Sequence, residues 1–175
     1  MDIVQYAGNG YQVEVLRKLP KSGDTQKLIV VQGGDDDLTR QALSSKFVDI
    51  LLDPHEGSRR DFMHHRDSGL NQVLCHLARE HNIAIGFSLQ SILRAKNRAG
   101  SLGRIMQNIQ LCRKYKVRMV IGSFAGSALE ERNIKDLQAL FKALGMTGKE
   151  VQMDFVEERL NYKRRFVQKG VMLAH

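Results

Sequence analysis

The sequence predicts an α/β fold in which short parallel strands alternate with amphipathic helices, and two observations carry this prediction. Apolar runs rich in Val and Ile lack polar alternation, which is typical of strands buried on both faces of a parallel sheet. Between these runs, apolar residues recur with the ~3.6-residue period of helices that pack on a sheet. With 175 residues, 42% of them hydrophobic and only two prolines, the chain suits one folded domain.

Four apolar runs are predicted as the central strands of the sheet. They are Leu28–Gln32, Val48–Leu52, Ile83–Leu89 and Val117–Ile121. Two weaker strand candidates lie outside them, at Asp2–Tyr6 and at Glu150–Phe155. The segment Tyr11–Leu19 fits either a helix or a strand, and we predict a helix there.

Four amphipathic segments are predicted as helices. The first begins at the acidic run Asp35–Asp37, whose charges favour the positive end of a helix dipole. The second follows Asp67 and Ser68, and one of these two side chains is expected to cap its first turn. The third is predicted to begin at Ser101 and the fourth at Asn133, each at the start of an apolar stripe with helical spacing.

Repeated strand–helix units indicate a parallel sheet, which is either closed into a TIM-barrel-like (β/α) barrel or open and doubly wound. The predicted strands are too few for an eight-stranded barrel, which rarely has fewer than ~200 residues. No internal repeat or interdomain linker divides the chain. The pattern leaves both architectures open, and we predict a single α/β domain over residues 1–160, followed by a basic tail over residues 161–175.

The positive charge of the chain is concentrated in its middle third. The formal net charge is +8, and residues 51–118 alone carry twelve basic and five acidic side chains. A domain this basic is typical of proteins that meet phosphate groups, and we favour nucleic acid over a merely solubilising charge. The few aromatic residues form no regular stripe, so binding through charge and shape is favoured over stacking on bases.

In parallel α/β folds, functional residues collect in the loops after the carboxyl ends of the strands. Two such loops hold seven cations, which we name the cationic rim. The rim consists of Arg59, Arg60, Arg66, Arg94, Lys96, Arg98 and Arg104. Because Arg pairs with phosphate oxygens through two parallel hydrogen bonds, these residues are the predicted phosphate contacts. A second candidate is the basic run near the end of the chain, Lys163, Arg164 and Arg165.

Two further polar clusters have less specific interpretations. The basic cluster Arg113–Arg118 lies where a helix returns to the next strand, so we expect it on the opposite rim, where it complements a helix C-terminus. The loop after Leu52 also holds carboxylates and imidazoles, among them Asp53, His55 and His65, which suit Zn²⁺ or Mn²⁺. The neighbouring loops offer few further ligands, so a solvated polar loop is favoured over a metal site.

One stretch of the sequence closely resembles a known family signature. Residues 65–78 read HRDSGLNQVLCHLA, which is similar to the RDSGLNHVLAKLA signature of the archaeal RNase P protein component 3 family. That family is the counterpart of the eukaryotic thirty-kilodalton RNase P subunit. Shorter matches extend the resemblance over residues 28–146. The positions that carry the family motif are Arg66, Asp67, Ser68, Gly69, Leu70, Asn71 and Ser123.

The resemblance implies a TIM-barrel-like fold akin to PHP-type metal phosphoesterases, without the HxH ligands of that group. It implies a subunit of ribonuclease P, the ribonucleoprotein endonuclease that removes 5′ leaders from precursor tRNA. In that family the RNA performs the Mg²⁺-dependent cleavage, so no catalytic residue, metal or cofactor is expected in this chain. Compared with family members, the chain is expected to lack the first βα unit.

The resemblance also implies partners. They are RNase P RNA, the RRM-like protein component 2, other RNase P protein subunits and, through the complex, precursor tRNA. The expected location is the cytoplasm, with no membrane contact. Three hypotheses follow. The leading one is a noncatalytic subunit that binds RNA and protein. The alternatives are a metal phosphoesterase that uses Asp53, His55 and His65, and an assembly protein whose charge is incidental.

Overall fold

The structure is a computed structural model that describes residues 1–8, 10–22, 26–152, 154–168 and 171–172. In chain order, its strands are β1 (Ile3–Val4), β2 (Tyr11–Gln12), β3 (Glu14–Leu16), β4 (Ile29–Gln32), β5 (Ile50–Leu52), β6 (Ala84–Ser88), β7 (Met119–Gly122), β8 (Phe166–Gln168) and β9 (Val171–Met172). Its α-helices are α1 (Asp36–Leu43), α2 (Gln72–Glu80), α3 (Leu89–Arg94), α4 (Arg98–Tyr115), α5 (Ile134–Ala143) and α6 (Asp154–Arg164). A turn of 3-10 helix, Ala128–Glu130, follows β7.

Strands β3 to β7 form a five-stranded parallel sheet in which neighbours in the chain are also neighbours in the sheet. Every residue of β5, β6 and β7 is buried, as predicted for strands covered on both faces. The intervening helices pack on these strands, for example α1 on β5 and α2 on β6. The four predicted central strands and the predicted α/β, TIM-barrel-like fold are confirmed.

Strand β1 joins the two edges of this sheet. On one side, the amide of Phe124, just after β7, donates to the carbonyl oxygen of Ile3 at 2.8 Å. The amide of Gln5 donates to the carbonyl oxygen of Ala125 at the same distance. On the other side, β1 pairs in parallel with β2, and only Val13 separates β2 from β3. The first weak strand candidate therefore forms a strand that links the beginning and the end of the sheet.

Two predicted elements are wrong. Tyr11–Leu19 is not a helix but contains β2 and β3, because its backbone pairs with β1 and β4. Glu150–Phe155 is not a strand. It begins in a turn that Thr147 opens, where the amide of Glu150 donates to the Thr147 carbonyl oxygen, and it ends in α6. Its apolar residues Val151 and Phe155 reach the core from this turn and helix, so the apolar pattern did not require a strand.

The helix starts confirm some predicted caps and correct others. Helices α1 and α5 begin where they were predicted to begin. Asp35 caps α1 by accepting from the amide of Leu38 at 2.7 Å, and Asn133 caps α5. The cap of α2 is Asn71 rather than Asp67 or Ser68, because the chain bends at Gly69, with a φ of +77°, and the helix begins only at Gln72. Helix α4 begins before the predicted Ser101, at Arg98.

The end of the described chain continues the domain. Helix α6 runs through residue 164, so it spans the predicted boundary at residue 160. Strands β8 and β9 then form a separate antiparallel pair. None of the helices that the structure describes combines the length and the apolar character that crossing a membrane requires.

Candidate nucleic-acid interface

A long loop after β5 builds the candidate interface. Residues 53–71 connect β5 to α2 without a helix or strand, at the carboxyl ends of the parallel strands. Connections longer than about 12–15 residues are uncommon in compact domains, and most are functional or disordered. This loop is anchored at both ends, because residues 53–55 and 68–70 are buried. Its middle part is therefore presented to solvent from a fixed base.

Arg59 holds the two ends of this loop together from inside. Its side chain is 4% exposed, and its guanidinium pairs with Asp67 at 2.9 Å and with Asp36 at 2.8 Å. The same guanidinium donates to the carbonyl oxygens of Pro54 at 3.0 Å and Gly34 at 3.3 Å. Because these partners occupy its donors, Arg59 is a structural residue, which corrects its prediction as a phosphate contact.

Arg104 and Arg66 lie together where α4 packs against the loop. Arg104 donates to the Asp61 carboxylate at 2.8 Å and to the carbonyl oxygen of Arg59 at 3.1 Å. The first of these hydrogen bonds is the largest cause of the lowered pKa of Asp61. The Arg66 guanidinium lies against Gly103, where the missing side chain leaves room for it. Arg66 is exposed, whereas the Arg104 side chain is largely covered by these contacts.

The remaining cations of the rim are exposed. Arg94 pairs with Glu130 at 3.2 Å, which connects α3 to the turn after β7, yet two thirds of its side chain stays in solvent. Lys96 lies on the connection between α3 and α4, and Arg98 is the first residue of α4. The carboxyl-end rim therefore presents five exposed cations, namely Arg60, Arg66, Arg94, Lys96 and Arg98. Their role as phosphate contacts stays a prediction.

The basic run at the end of α6 lies at the opposite end of the strands from the cationic rim. Lys163 is 7% exposed, and its ammonium contacts the Asp49 carboxylate at 2.7 Å and the Lys27 carbonyl oxygen at 2.7 Å. Because Asp49 directly precedes β5, this contact lies at the amino ends of the strands. Lys163 is thus structural, which corrects its prediction as a phosphate contact. Arg164 and Arg165 beside it are exposed, and their role as RNA contacts stays a prediction.

The basic cluster before β7 lies on the opposite rim, as predicted, and two of its arginines are ion-paired. Arg113 pairs with Glu150 at 2.6 Å, and this hydrogen bond lowers the pKa of Glu150 to about 2. Arg113 also donates to the Gly145 carbonyl oxygen at 2.6 Å, so it complements the end of α5 rather than of its own helix. Arg118 pairs with Glu158 at 2.5 Å. These contacts assign the arginines to the packing of α4, α5 and α6.

Most residues of the motif at 66–71 stabilise the fold. The Ser68 carbonyl oxygen accepts from the Asn108 side chain at 2.8 Å, and Leu70 is part of the core. Gly69 has a φ of +77° and packs closely against Pro54. Asn71 caps α2. Arg66 is the exposed charged residue of this motif, so the motif positions the loop and α2 more than it contacts a ligand.

Ser123 has a comparable structural role at the end of β7. It is fully buried, and its amide donates to the Asp2 carboxylate at 2.8 Å. Its hydroxyl accepts from the amide of Ala125 at 3.2 Å. Asp2 also accepts from the amide of Ile3 at 2.7 Å, so this carboxylate clamps β1 to the end of β7.

A buried polar network attaches the start of the loop to the sheet. Asp53 accepts from the amide of Ser88 at 2.8 Å and from the hydroxyls of Ser88 at 2.5 Å and Ser91 at 3.2 Å. The Ser91 hydroxyl also lies 3.4 Å from Nε2 of His55. Burial raises the pKa of Asp53 to about 7 and lowers the pKa of His55 to about 3. Sequence spacing gave no sign of the two serines, since they follow a different strand.

The phosphoesterase hypothesis requires Asp53, His55 and His65 to share one site, and the structure separates them. Asp53 and His55 are buried in the network, whereas His65 is exposed at the tip of the loop and stacks on Phe62. Over the described ranges, no three His, Cys, Asp or Glu side chains are grouped to hold a metal ion. The loop therefore gives this hypothesis no assembled set of ligands.

The tip of the loop exposes apolar surface that the sequence analysis did not single out. Phe62 is 62% exposed and Met63 is 92% exposed. The Phe62 ring stacks on the imidazole of His65, with ring centroids 4.6 Å apart and an angle of 19° between the planes. The sequence signal was two adjacent apolar residues in a polar loop. This signal is weak, because single exposed apolar residues are common on protein surfaces.

Comparison with known proteins identifies similar chains. The sequence model of the family described as RNase P subunit p30 matches residues 12–158. The protein named ribonuclease P protein component 3 of Methanosarcina acetivorans is 32% identical over 159 residues, which cover 86% of this chain and 63% of that protein. Its namesake in Thermococcus kodakarensis is 38% identical over 128 residues, which cover 72% of this chain and 54% of that protein. This chain thus spans less than two thirds of the length of these relatives.

A solved structure has a similar fold. It is a chain in the cryo-EM structure of an archaeal ribonuclease P with mature tRNA, and it superposes on this chain with a TM-score of 0.68. The two sequences are 26% identical, and the superposition covers 85% of this chain and 64% of that chain.

Proposed function

Because this chain belongs to the RNase P subunit p30 family, we propose that it acts as a noncatalytic protein subunit of ribonuclease P. In this role it binds RNase P RNA and a partner protein. It thereby supports the Mg²⁺-dependent removal of 5′ leaders from precursor tRNA, which the RNA catalyses. The chain contributes binding and positioning, and it needs no metal or cofactor of its own.

The observation that carries the proposal is the set of exposed cations on one rim. Four of these cations lie at the carboxyl ends of the strands, namely Arg66, Arg94, Lys96 and Arg98. Arg66 lies against α4 at Gly103, and Arg94, at the end of α3, pairs with Glu130 in the turn after β7. Cations held in place by a rigid scaffold can contact several phosphates of an RNA backbone at once. Each such contact releases counterions from the RNA, and this release drives the binding. RNase P RNA is therefore the proposed ligand of this rim.

The proposed protein partners follow from the family. They are the RRM-like protein component 2 and other ribonuclease P subunits, and precursor tRNA is reached through the complex. The exposed cations Arg164 and Arg165 lie away from the cationic rim and form a second candidate RNA contact.

Single substitutions on the rim are expected to weaken the binding of RNase P RNA in a salt-dependent way. For Arg66→Ala, Lys96→Ala and Arg98→Ala, the negative slope of log affinity against log salt concentration should become smaller in magnitude by about one in each variant, because one phosphate contact is lost. Filter binding or fluorescence anisotropy at four or more salt concentrations measures this slope.

Lys46→Ala provides the matched control for these variants. Lys46 is exposed and precedes β5, so it removes the same charge from the amino-end rim. Its slope is expected to remain that of the unmodified protein. If the Arg66, Lys96 and Arg98 variants all keep the original slope, the assignment of the cationic rim to RNA is wrong.

Reconstitution tests the supporting role in cleavage directly. We expect the chain, added to RNase P RNA together with component 2, to lower the Mg²⁺ concentration that half-maximal precursor-tRNA cleavage requires. The physical reason is that protein cations replace part of the Mg²⁺ that otherwise screens the folded RNA. The rate of 5′-leader release is measured against Mg²⁺ concentration with RNA alone, with each protein and with both. An unchanged Mg²⁺ dependence in all protein-containing reactions contradicts the proposed function.

A further inference from the structure

The tip of the loop after β5 is an apolar feature without an explanation in the fold. Residues 62–65 form a tight turn in which the amide of Phe62 donates to the carbonyl oxygen of His65 at 2.8 Å. Most of the Phe62 and Met63 side chains is in solvent. Phe62 and Met63 are adjacent, so they form a small apolar patch, and an apolar patch surrounded by polar residues is a candidate contact for another molecule.

The ring of Phe62 has a neighbouring imidazole on one face. His65 covers one of its faces at 4.6 Å in a nearly parallel stack, and this leaves the other face open to solvent. An aromatic ring with one supported face and one open face is the geometry on which a flat group stacks. Offset stacking of this kind is favourable between aromatic rings.

The neck of the turn is closed by contacts that keep the tip in place. The Asp61 carboxylate accepts from the amide of Asp67 at 3.1 Å and from Arg104 at 2.8 Å. Gln107 of α4 donates to the Arg66 carbonyl oxygen at 3.1 Å. These contacts tie both sides of the turn to α4. Little conformational entropy is therefore lost when a ligand binds at the tip.

Cations flank the tip on both sides in the chain. Arg60 precedes it and Arg66 follows it, and both are exposed. A protein partner that buries Phe62 and Met63 would also have to desolvate these two charges or neutralise them. A nucleotide matches both features together, since its base stacks on an aromatic ring and its phosphates pair with arginine.

We propose that Phe62, supported by His65, stacks on an unpaired base of the bound RNA, while Arg60 and Arg66 contact phosphates of the same strand. This proposal rests on the proposed function, because it takes the ligand of the cationic rim to be RNA. It adds a requirement that charge alone does not impose. The RNA must offer a nucleotide that is free of base pairing near the tip of the loop.

Two RNA hairpins of the same length test the proposal, each closed by an ethylene-glycol linker in place of a nucleotide loop, so that the loop offers no unpaired base. One carries a single unpaired 2-aminopurine in its stem, and the other is fully paired. Phe62→Ala should weaken binding of the first hairpin by about 5- to 150-fold, the range found for loss of one aromatic stack under a base. It should leave binding of the second hairpin and the salt dependence of both unchanged, because no charge is removed. Quenching of the 2-aminopurine fluorescence should occur with the unmodified protein and disappear with Phe62→Ala.

Matched variants separate stacking from other effects. Phe62→Tyr keeps an aromatic ring and should retain both the affinity and the quenching. Phe47→Ala removes another exposed phenylalanine, which lies just before β5 at the amino-end rim, and should change neither. Circular dichroism melting of each variant checks that the fold is intact, which is expected since both phenylalanines are exposed.

The outcomes distinguish this proposal from the proposed function. If Arg66→Ala lowers the salt slope but Phe62→Ala binds the unpaired hairpin like the unmodified protein, the stacking proposal is wrong and the RNA-binding function stands. If the unmodified protein binds neither hairpin nor RNase P RNA, the function fails and the proposal fails with it. If Phe62→Ala loses component 2 while RNA binding is unchanged, the tip is a protein contact and the stacking proposal is rejected.

Discussion

Replacing Gly69 with alanine is expected to lower the free energy of unfolding by about 4 kcal/mol or more, or to prevent folding. A Cβ on Gly69 would lie 1.9 Å from the carbonyl oxygen of Pro54 and 2.8 Å from the central guanidinium carbon of Arg59. The φ of +77° adds strain for any residue with a side chain. The backbone of Pro54 belongs to the buried start of the loop, so it has no room to move away. Urea unfolding followed by circular dichroism measures the loss.

Gly145→Ala is the matched control for this substitution. Gly145 has a φ of +107°, but no heavy atom lies within 4 Å of a Cβ built there. Its expected cost is only the backbone strain, about 1–2 kcal/mol. If the two variants unfold at the same urea concentration, the close approach of Pro54 does not explain why this position requires glycine. The comparison therefore separates steric overlap from conformational preference.

Asp49→Asn is expected to lower the free energy of unfolding by about 3–5 kcal/mol. Asp49 is 1% exposed, and its carboxylate accepts from the amide of Ile29, from Arg159 and from Lys163, each at 2.7 Å. Asparagine keeps an oxygen acceptor but removes the negative charge, so two largely buried cations lose their counter-charge. These contacts attach α6 to the sheet, and the end of the chain is expected to detach first. Chemical unfolding gives the total loss, and hydrogen exchange locates it.

Glu158→Gln is the appropriate comparison for Asp49→Asn. It also removes a carboxylate from an ion pair between α6 and the rest of the chain, but this pair, with Arg118, is exposed on both sides. The expected loss is under about 1 kcal/mol, because water screens the pair. Protection of α6 against hydrogen exchange should fall in Asp49→Asn and persist in Glu158→Gln. Equal protection in both variants would show that Asp49 does not hold α6 in place.

The structural roles of Gly69 and Asp67 affect how RNA-binding data on this protein are interpreted. Gly69 and Asp67 belong to the most recognisable motif of the chain, yet their contacts are with the loop itself. Substitutions there would lower RNA affinity by disordering the loop that carries Arg60, Phe62 and Arg66. Loss of binding in a motif variant therefore needs a stability measurement beside it, whereas loss of binding in Arg66→Ala at unchanged stability reports a contact.

The sequence predicted where the candidate site lies in the fold, but it did not predict which of its cations are exposed. The rule that function collects after the carboxyl ends of strands placed the cations of residues 59–104 on one rim, and the structure has them there. Arg59 and Arg60 are adjacent and chemically identical, so no local pattern distinguishes them. The Arg59 side chain is held away from solvent because its guanidinium pairs with Asp36, which lies more than twenty residues away in the sequence. The Lys163 side chain is buried in the same way by its ion pair with Asp49.

The sequence by itself determined the α/β alternation, the four central strands and the helices between them. These depend on apolar periodicity and on caps such as Asp35 and Asn133, which are properties of a few neighbouring residues. The tertiary structure alone decided that Tyr11–Leu19 is strand, that β1 joins both edges of the sheet, and which cations face solvent. Strand pairing, ion pairing and the exposure of Phe62 depend on partners brought together by folding, and spacing along the chain carries no information about those partners.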